Sequence, residues 1–380
     1  MSAMPRTFRI FPSPLEGQGR GGGFIPLFPP PFTGEGEGEG LNCEREPALS
    51  LALSRERVRG NFFEGPMKHL LPLRHARLFT CLVVIGLLLA PGFRSAHAAF
   101  RDPLWTARSA ALGGAFTAVN GDPTSVFYNP ATAVHMTRPA ANFTYAKLFA
   151  GLDEVNLSLN QFAYARPLKS FSVVTVGWGS VNASGLRRED TAILGFSHLF
   201  RDTGGLGEIA VGVSGRYLSQ SFTLDARTVG DPVFKNGRTR GDFALDLHAF
   251  LPVVSALSEN LAAGLSLRAV NRPDVGFSSK DRLPMESVLG VLYKWKNFAF
   301  PVDLVHRGGE LTPEMGAEAS FVENRFALRL GTDTDQVGAG LGYRRTLSPR
   351  LALSFDYAFL WPLKIEGTSG SHRATIGVSF

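Results

Sequence analysis

The stretch that decides the fold is the end of the chain, His372–Phe380, with the sequence HRATIGVSF. Its apolar residues (Ala, Ile, Val, Phe) alternate with polar or small ones (Thr, Gly, Ser). Leu351–Trp361 (LALSFDYAFLW) repeats the alternation. A period of two is typical of a strand with one apolar face. An unpaired apolar strand promotes aggregation in water, whereas a strand that closes a barrel can turn that face to lipid.

Similar segments recur from Asn142 to the end of the chain, about fourteen in all, each close to the roughly ten residues that a tilted spanning strand needs. Leu261–Val270 and Val337–Arg344 alternate regularly, while Phe171–Trp178 and Thr191–Leu199 alternate poorly. The sequence therefore predicts an all-β fold, a transmembrane antiparallel β-barrel of about 14 strands over residues 141–380.

The predicted connections provide a separate test of this fold. Long connections, such as Gly179–Asp190, Gln220–Gly241 and His306–Pro313, alternate with short ones such as Lys296-Asn297. Outer-membrane barrels have short periplasmic turns and longer outside loops, and a soluble β-sandwich has no reason for that alternation. We therefore expect the mature chain in the outer membrane of a Gram-negative-type bacterium, with membrane lipid around it.

Composition excludes several function classes. Charged residues make up 19% of the chain, fewer than is usual in cytosolic proteins. The formal net charge is +6, but no run of Lys or Arg forms a stripe, so we expect no nucleic-acid partner. Cys43 and Cys81 both precede the predicted mature start, which leaves no disulfide or thiol chemistry to predict.

The first hundred residues predict processing rather than fold. Residues 1–66 are a low-complexity leader that is consistent with a misassigned start codon. Residues 67–98 have the pattern of a secretory signal peptide, with a basic start, the apolar run Leu78–Ala90, and small Ala96 and Ala98 before cleavage. The run, of about thirteen residues, is too short for a spanning helix of about twenty, which disfavours an anchor.

Between this segment and the first strand lies Ser109–Ala133, SAALGGAFTAVNGDPTSVFYNPATA. The small residues Ala110–Ala115 suit close backbone packing, and Asn129-Pro130 suits a rigid turn. An ordinary N-terminal loop with an Asx-turn would explain these residues equally well.

The same run resembles the N-terminal hatch of the FadL-type outer-membrane transport protein superfamily, especially its PorV/PorQ-like branch. The resemblance implies a hatch over residues 99–140, followed by the barrel. The matching motif residues are Gly113, Gly114, Phe116, Asn129, Pro130 and Ala131.

Charged and polar residues occupy the face opposite the apolar one on several predicted strands. Both signs occur, so structural ion pairs across the lumen explain most of them better than a substrate site does. His248 has no partner at metal-ligand spacing, and no Gly-x-Ser-x-Gly elbow accompanies the serines, so we predict no metal, no cofactor and no enzyme. The lumen-facing candidates are Arg216, Asp246, His248, Arg268, Asp303, Glu318, Arg329, Arg344 and Asp356.

Two function classes remain, and both follow from the resemblance. FadL-type proteins imply passage of hydrophobic, fatty-acid-like small molecules across the outer membrane. PorV-like proteins imply a barrel scaffold for protein secretion or surface attachment, of the type IX kind. The partners are then apolar cargo or secreted proteins. The last strand also resembles the assembly signal that the barrel-assembly machinery recognises in similar proteins, here Ile376, Val378 and Phe380.

Overall fold

A computed structural model describes residues 99–380, apart from 153–155, 170, 202, 204–206, 227 and 256. The predicted leader, the signal peptide and its cleavage residues Ala96 and Ala98 lie outside the described residues. Within the described ranges, no helix has the length and apolar character needed to cross a membrane.

Within the described part of the chain, fourteen antiparallel strands follow one another around a closed barrel. The barrel predicted from the alternation is therefore confirmed, and even the poorly alternating segments form strands. The strands are β1 Ala140–Leu148, β2 Leu157–Pro167, β3 Ser172–Ala183, β4 Arg187–Phe200, β5 Ile209–Phe222, β6 Thr239–Leu251, β7 Leu261–Arg268, β8 Glu286–Trp295, β9 Phe298–Arg307, β10 Glu310–Phe321, β11 Phe326–Thr332, β12 Gln336–Ser348, β13 Leu351–Pro362 and β14 Ser371–Ser379.

The last strand closes the barrel. It pairs with β13 on one side and with β1 on the other, where the register runs from Ala140 opposite Ser379 to Lys147 opposite His372. Both edges of the C-terminal strand are thus hydrogen-bonded, which removes the unpaired edge that its sequence would otherwise expose.

The barrel has two distinguishable ends. We call the end that holds the start of β1 and the end of β14 the inner end, and the opposite one the outer end. The longest connections, residues 223–238 and 269–285, lie at the outer end, as predicted.

Two predicted long outer connections are wrong. Strands β3 and β4 stay paired as far as Ala183 opposite Arg187, so only residues 184–186 join them, because polar side chains do not interrupt a backbone ladder. Strands β9 and β10 are joined by Gly308 and Gly309 alone, both at positive φ, which suits a two-residue hairpin turn.

The side chains of the barrel are sorted by strand alternation. On β14, Ile376 is 62% exposed on the outer surface, while Arg373 and Thr375 are buried inside. Phe380 is also exposed, and Val378 is half-buried on the same face as Ile376. On β6, Phe243 is exposed outside and Asp246 is buried inside. An apolar outside around a polar inside is the arrangement expected of a barrel surrounded by lipid.

The N-terminal segment, residues 99–139, lies inside this barrel, and we refer to it as the hatch. It contains two short helices, α1 Ala107–Ala111 and α2 Ser125–Tyr128, and a 3-10 helix, Pro130–His135. Thr106 and Ser109 form a capping box at the start of α1. Such short elements cannot stand alone in water, so their stability comes from packing against the barrel wall.

Candidate functional site

The hatch approaches the wall closely at several glycines of the wall. A Cβ atom added to Gly331 of β11 would lie 2.2 Å from the carbonyl carbon of Leu112, and one on Gly338 of β12 would lie 2.7 Å from the carbonyl oxygen of Ala110. At both positions the hatch backbone lies directly against a glycine of the wall. No role was predicted for these wall glycines from the sequence, although the regular Gly338, Gly340 and Gly342 on one face of a strand indicate a position where backbone comes close.

Gly113 and Gly114 make the tightest turn of the hatch. Their φ angles are +68° and +92°, in the region that residues with a Cβ rarely adopt. A Cβ on Gly113 would lie 2.5 Å from the backbone of Thr332, while one on Gly114 would lie 2.7 Å from the carboxyl group of Glu314. Backbone blocks the first position and a side chain blocks the second.

The centre of the hatch is an aromatic core. Phe116 lies fully buried against Tyr128, with ring centroids 5.2 Å apart, and Trp105 stacks on Phe127 at 4.6 Å. The Tyr128 hydroxyl accepts a hydrogen bond from the Trp105 backbone and donates one to Ser109. These contacts join the start of the hatch to α2.

Asn129 connects the hatch to itself and to the wall. Its Oδ1 accepts a hydrogen bond from Ala131 N–H and so caps the 3-10 helix, which begins at Pro130. Its Nδ2 donates to the carbonyl oxygens of Thr117 and Ala249, at 2.9 and 3.0 Å. The Asn-Pro pair therefore positions the hatch against β6 as well as turning the chain.

Side chains on the wall bind the hatch backbone. Asp303 accepts from the N–H groups of Phe116 and Thr117, at 3.0 and 2.8 Å. Arg373 donates to the carbonyl oxygens of Pro103 and Leu104. No role was predicted for Arg373 from the sequence. The alternation of β14 nevertheless indicates that its side chain points into the barrel.

An ion-pair group at the inner side, which we call the latch, joins α1 to the wall. Arg108 binds both carboxylate oxygens of Glu318 at 3.0 Å and also Asp122 at 3.1 Å. Arg329 pairs with Glu318 and with Asp356. Burial works against the charged form of Asp122, but the Arg108 guanidinium and hydrogen bonds from Thr124 hold the pKa of Asp122 below its usual range.

A second charged group lies at the outer side. Arg268 pairs with Glu286 at 2.8 Å and with Asp102 of the hatch at 3.5 Å. Burial raises the pKa of the Asp102 carboxyl in spite of this arginine. Arg307 pairs with Glu286 and donates to the carbonyl oxygens of Ala99 and Phe100. The first described residues of the hatch are thus held at the outer end.

Asp246 and His248 form a third group inside the barrel. Asp246 pairs with Arg216, and Ser214 lies within hydrogen-bond distance of both Asp246 and His248. The other ring nitrogen of His248 contacts Ser266, which donates to the carbonyl oxygen of Tyr128. Among the described residues, no group of three or more His, Cys, Asp or Glu side chains is placed to hold a metal.

The predicted lumen residues thus separate into these groups, and Arg344 stands apart. Arg216, Asp246, His248, Arg268, Glu318 and Arg329 all lie on the inner face of the wall. Arg344 follows Gly342 on the same face of β12, at the inner mouth, where it is exposed.

Cavities lie on both sides of the hatch. At the outer side, a cavity of about 40 Å³ is lined by Trp105, Phe127, Ile193 and Leu283 together with several charged side chains. At the inner side, a vestibule of about 710 Å³ opens below α1. A cavity of about 150 Å³ is needed to hold a molecule of benzene size, so the outer cavity is closed to such a guest in this conformation.

The fold and this interior define a class of protein: a closed β-barrel whose lumen is filled by its own N-terminal segment. No protein-family model matches the chain, and no curated protein matches it.

Solved structures do match it. CymD, described as a monoaromatic hydrocarbon channel, aligns with a TM-score of 0.50 at 12% identity, over 74% of this chain and 98% of that one. The toluene transporter TodX of Pseudomonas putida aligns with a TM-score of 0.45 at 12% identity, over 72% and 97%. At this identity the likeness to CymD shows the fold alone. The FadL-like fold is confirmed at that level, and the PorV/PorQ-like branch stays a prediction.

Proposed function

We propose that the protein passes hydrophobic small molecules, fatty-acid-like ones among them, across the bacterial outer membrane. The inner end of the barrel then faces the periplasm and the outer end faces the medium. The observation that carries the proposal is a lumen filled by a separate segment, with a partly apolar cavity on one side of it and an open vestibule on the other.

The contacts between the hatch and the wall are noncovalent, so they can break and form again. The hatch continues into β1 only at its C-terminal side, and elsewhere hydrogen bonds, ion pairs and packing hold it. A small displacement of Trp105 and Phe127 would enlarge the outer cavity, because both rings belong to the hatch and line that cavity. The CymD likeness supports this proposal through its fold, and the apolar cavity residues support it through their chemistry.

Ile193 offers a direct test because it is a wall residue that lines the outer cavity. Ile193→Asn places an amide where apolar cargo would pass, while Ile193→Val keeps the apolar surface. We expect the Asn variant to lower uptake of labelled oleate and of toluene by intact cells at least tenfold, and the Val variant to lower it less than twofold. Maltose entry, measured in the same cells, is expected to stay unchanged.

Uptake that is equal with and without the protein would overturn the proposal. If uptake is equal but cells without the protein lose exported proteins from their surface, the PorV-like scaffold is supported instead. The length of the outer connections 223–238 and 269–285 is compatible with such a scaffold, and the two measurements separate the functions.

A further inference from the structure

The vestibule at the inner end has an imbalance of charge that the passage of apolar cargo does not require. All three acidic residues that line it, Asp122, Glu318 and Asp356, are paired with Arg108 or Arg329 in the latch. Of the basic residues nearer the mouth, Arg325 pairs with the exposed Glu323 at 3.3 Å, whereas Arg138, Lys294, Lys296 and Arg344 form no ion pair within the described part of the chain. The carboxylates of the vestibule are therefore neutralised, while four of its cations are left in surplus.

Two of these mouth residues point into the lumen from the wall. Lys294, near the end of β8, lines the vestibule, and among the described residues its ammonium group donates a hydrogen bond only to the Oδ1 of Asn120, at 3.2 Å. Arg344 lines the vestibule from β12, in phase with Gly342. Neither forms an ion pair with any residue in the described part of the chain. Arg138 and Lys296, which also line the mouth, add positive charge.

The walls between these cations carry polar as well as apolar groups. Asn142, Ser320, Ser354 and Thr375 line the vestibule from four different strands. The Asn142 amide and the Thr375 hydroxyl are engaged with Thr124 and Thr144, so Ser320 and Ser354 supply the hydroxyl groups that can donate hydrogen bonds to an oxyanion. The cavity volume of about 710 Å³ lies within the range of roughly 300–1,000 Å³ that is usual for small-molecule sites.

We propose that the inner vestibule is a binding site for small hydrophilic anions, with Lys294 and Arg344 as its principal cationic ligands. Ammonium and guanidinium groups are the side chains that bind phosphate and carboxylate oxygens. A concave wall with one sign of surplus charge concentrates the opposite ion. Because both side chains face the lumen, lipid headgroups outside the barrel do not contact them. Phosphates and carboxylates share the required chemistry, and the test has one arm for each.

The experiment uses the whole chain in nonionic detergent at low ionic strength. Pyrophosphate and, separately, citrate are titrated into it by calorimetry. The test variant combines Lys294→Gln with Arg344→Gln. The control combines Lys169→Gln with Arg345→Gln, which removes the same charge at the same end of the barrel from exposed residues that do not line the vestibule.

We expect at least one of the two anions to bind, with affinity at least tenfold weaker in the test variant and changed less than twofold in the control. The arm that gives binding identifies phosphates, carboxylates or both as the ligand class. The absence of binding heat with both anions, or an equal loss of affinity in the two variants, would overturn the proposal. A heat-dependent shift of each variant on a semi-denaturing gel checks that the barrel has formed.

Discussion

Two glycines of the hatch differ in the space around them although their backbone conformations are similar. Gly113 has φ +68° and faces the backbone of Thr332, whereas Gly121 has φ +76° and no atom within 4 Å of an added Cβ. Left-handed φ costs a residue with a Cβ roughly 1–2 kcal/mol at either position. Only at Gly113 must the wall also move, and overpacking a confined site costs about 1–3 kcal/mol more.

Substituting each of these glycines by alanine is therefore informative. We expect Gly113→Ala to weaken hatch docking by about 2–5 kcal/mol, and Gly121→Ala by about 1–2 kcal/mol. Limited proteolysis of the folded barrel, followed by identification of cuts between 99 and 139, measures hatch release. Equal protease sensitivity of the two variants would show that the close contact with Thr332 does not hold the hatch.

At the scale of elements, α1 is held to the barrel by one side chain with several partners. Arg108 comes from a helix of five residues and reaches both Glu318 on β10 and Asp122 within the hatch. Breaking a buried ion pair by removing one partner typically costs about 3–5 kcal/mol, because the other charge stays buried. Without Arg108, Asp122 would lose its ionic partner, whereas Glu318 would keep Arg329. Arg108 is therefore the ionic tie between α1 and the wall at β10.

The ion pairs of Arg108 predict the effect of removing its side chain. We expect Arg108→Gln to increase transient conductance through the barrel in planar bilayers several-fold, since α1 then loses its strongest tie to β10. Arg101→Gln is the control, because the ion pair of Arg101 with Asp335 lies exposed at the outer end and such pairs contribute little. Identical traces for the two variants would contradict a latch role.

At the scale of the whole molecule, apolar and polar surfaces are inverted relative to a soluble protein. Phe243 and Ile376 are exposed to the surroundings by more than half of their surface, while Arg268 and Arg329 are buried in the lumen. Such a molecule is stable only where lipid or detergent covers the outer surface. Backbone hydrogen bonds around the full ring, including β1 with β14, then resist unfolding together.

The closed ring predicts heat-modifiable behaviour. We expect the membrane fraction to hold the protein, and the unboiled sample to migrate faster than the boiled one on a semi-denaturing gel, because the closed barrel is more compact than the unfolded chain. Recovery of the protein in the soluble fraction, with a single band before and after boiling, would contradict the fold.

The sequence by itself determined the barrel and the place of the hatch motif in the chain. Period-two alternation is a local property, so His372–Phe380 indicates a strand with one apolar face without any knowledge of its partners. An inward phase likewise follows from alternation, and Asp246, Glu318 and Arg329 lie on the inner face of the wall.

Only the tertiary structure decided which of these residues meet. The contacts of Arg108 with Glu318, of Gly331 with Leu112, and of Arg373 with Leu104 each join parts of the chain more than 200 residues apart. Such contacts depend on barrel closure and register, which no short stretch of sequence encodes. The surplus charge of Lys294 and Arg344 could also be recognised only in the structure. Whether a charged side chain has an ion-pair partner depends on its neighbours in space, which the sequence does not give.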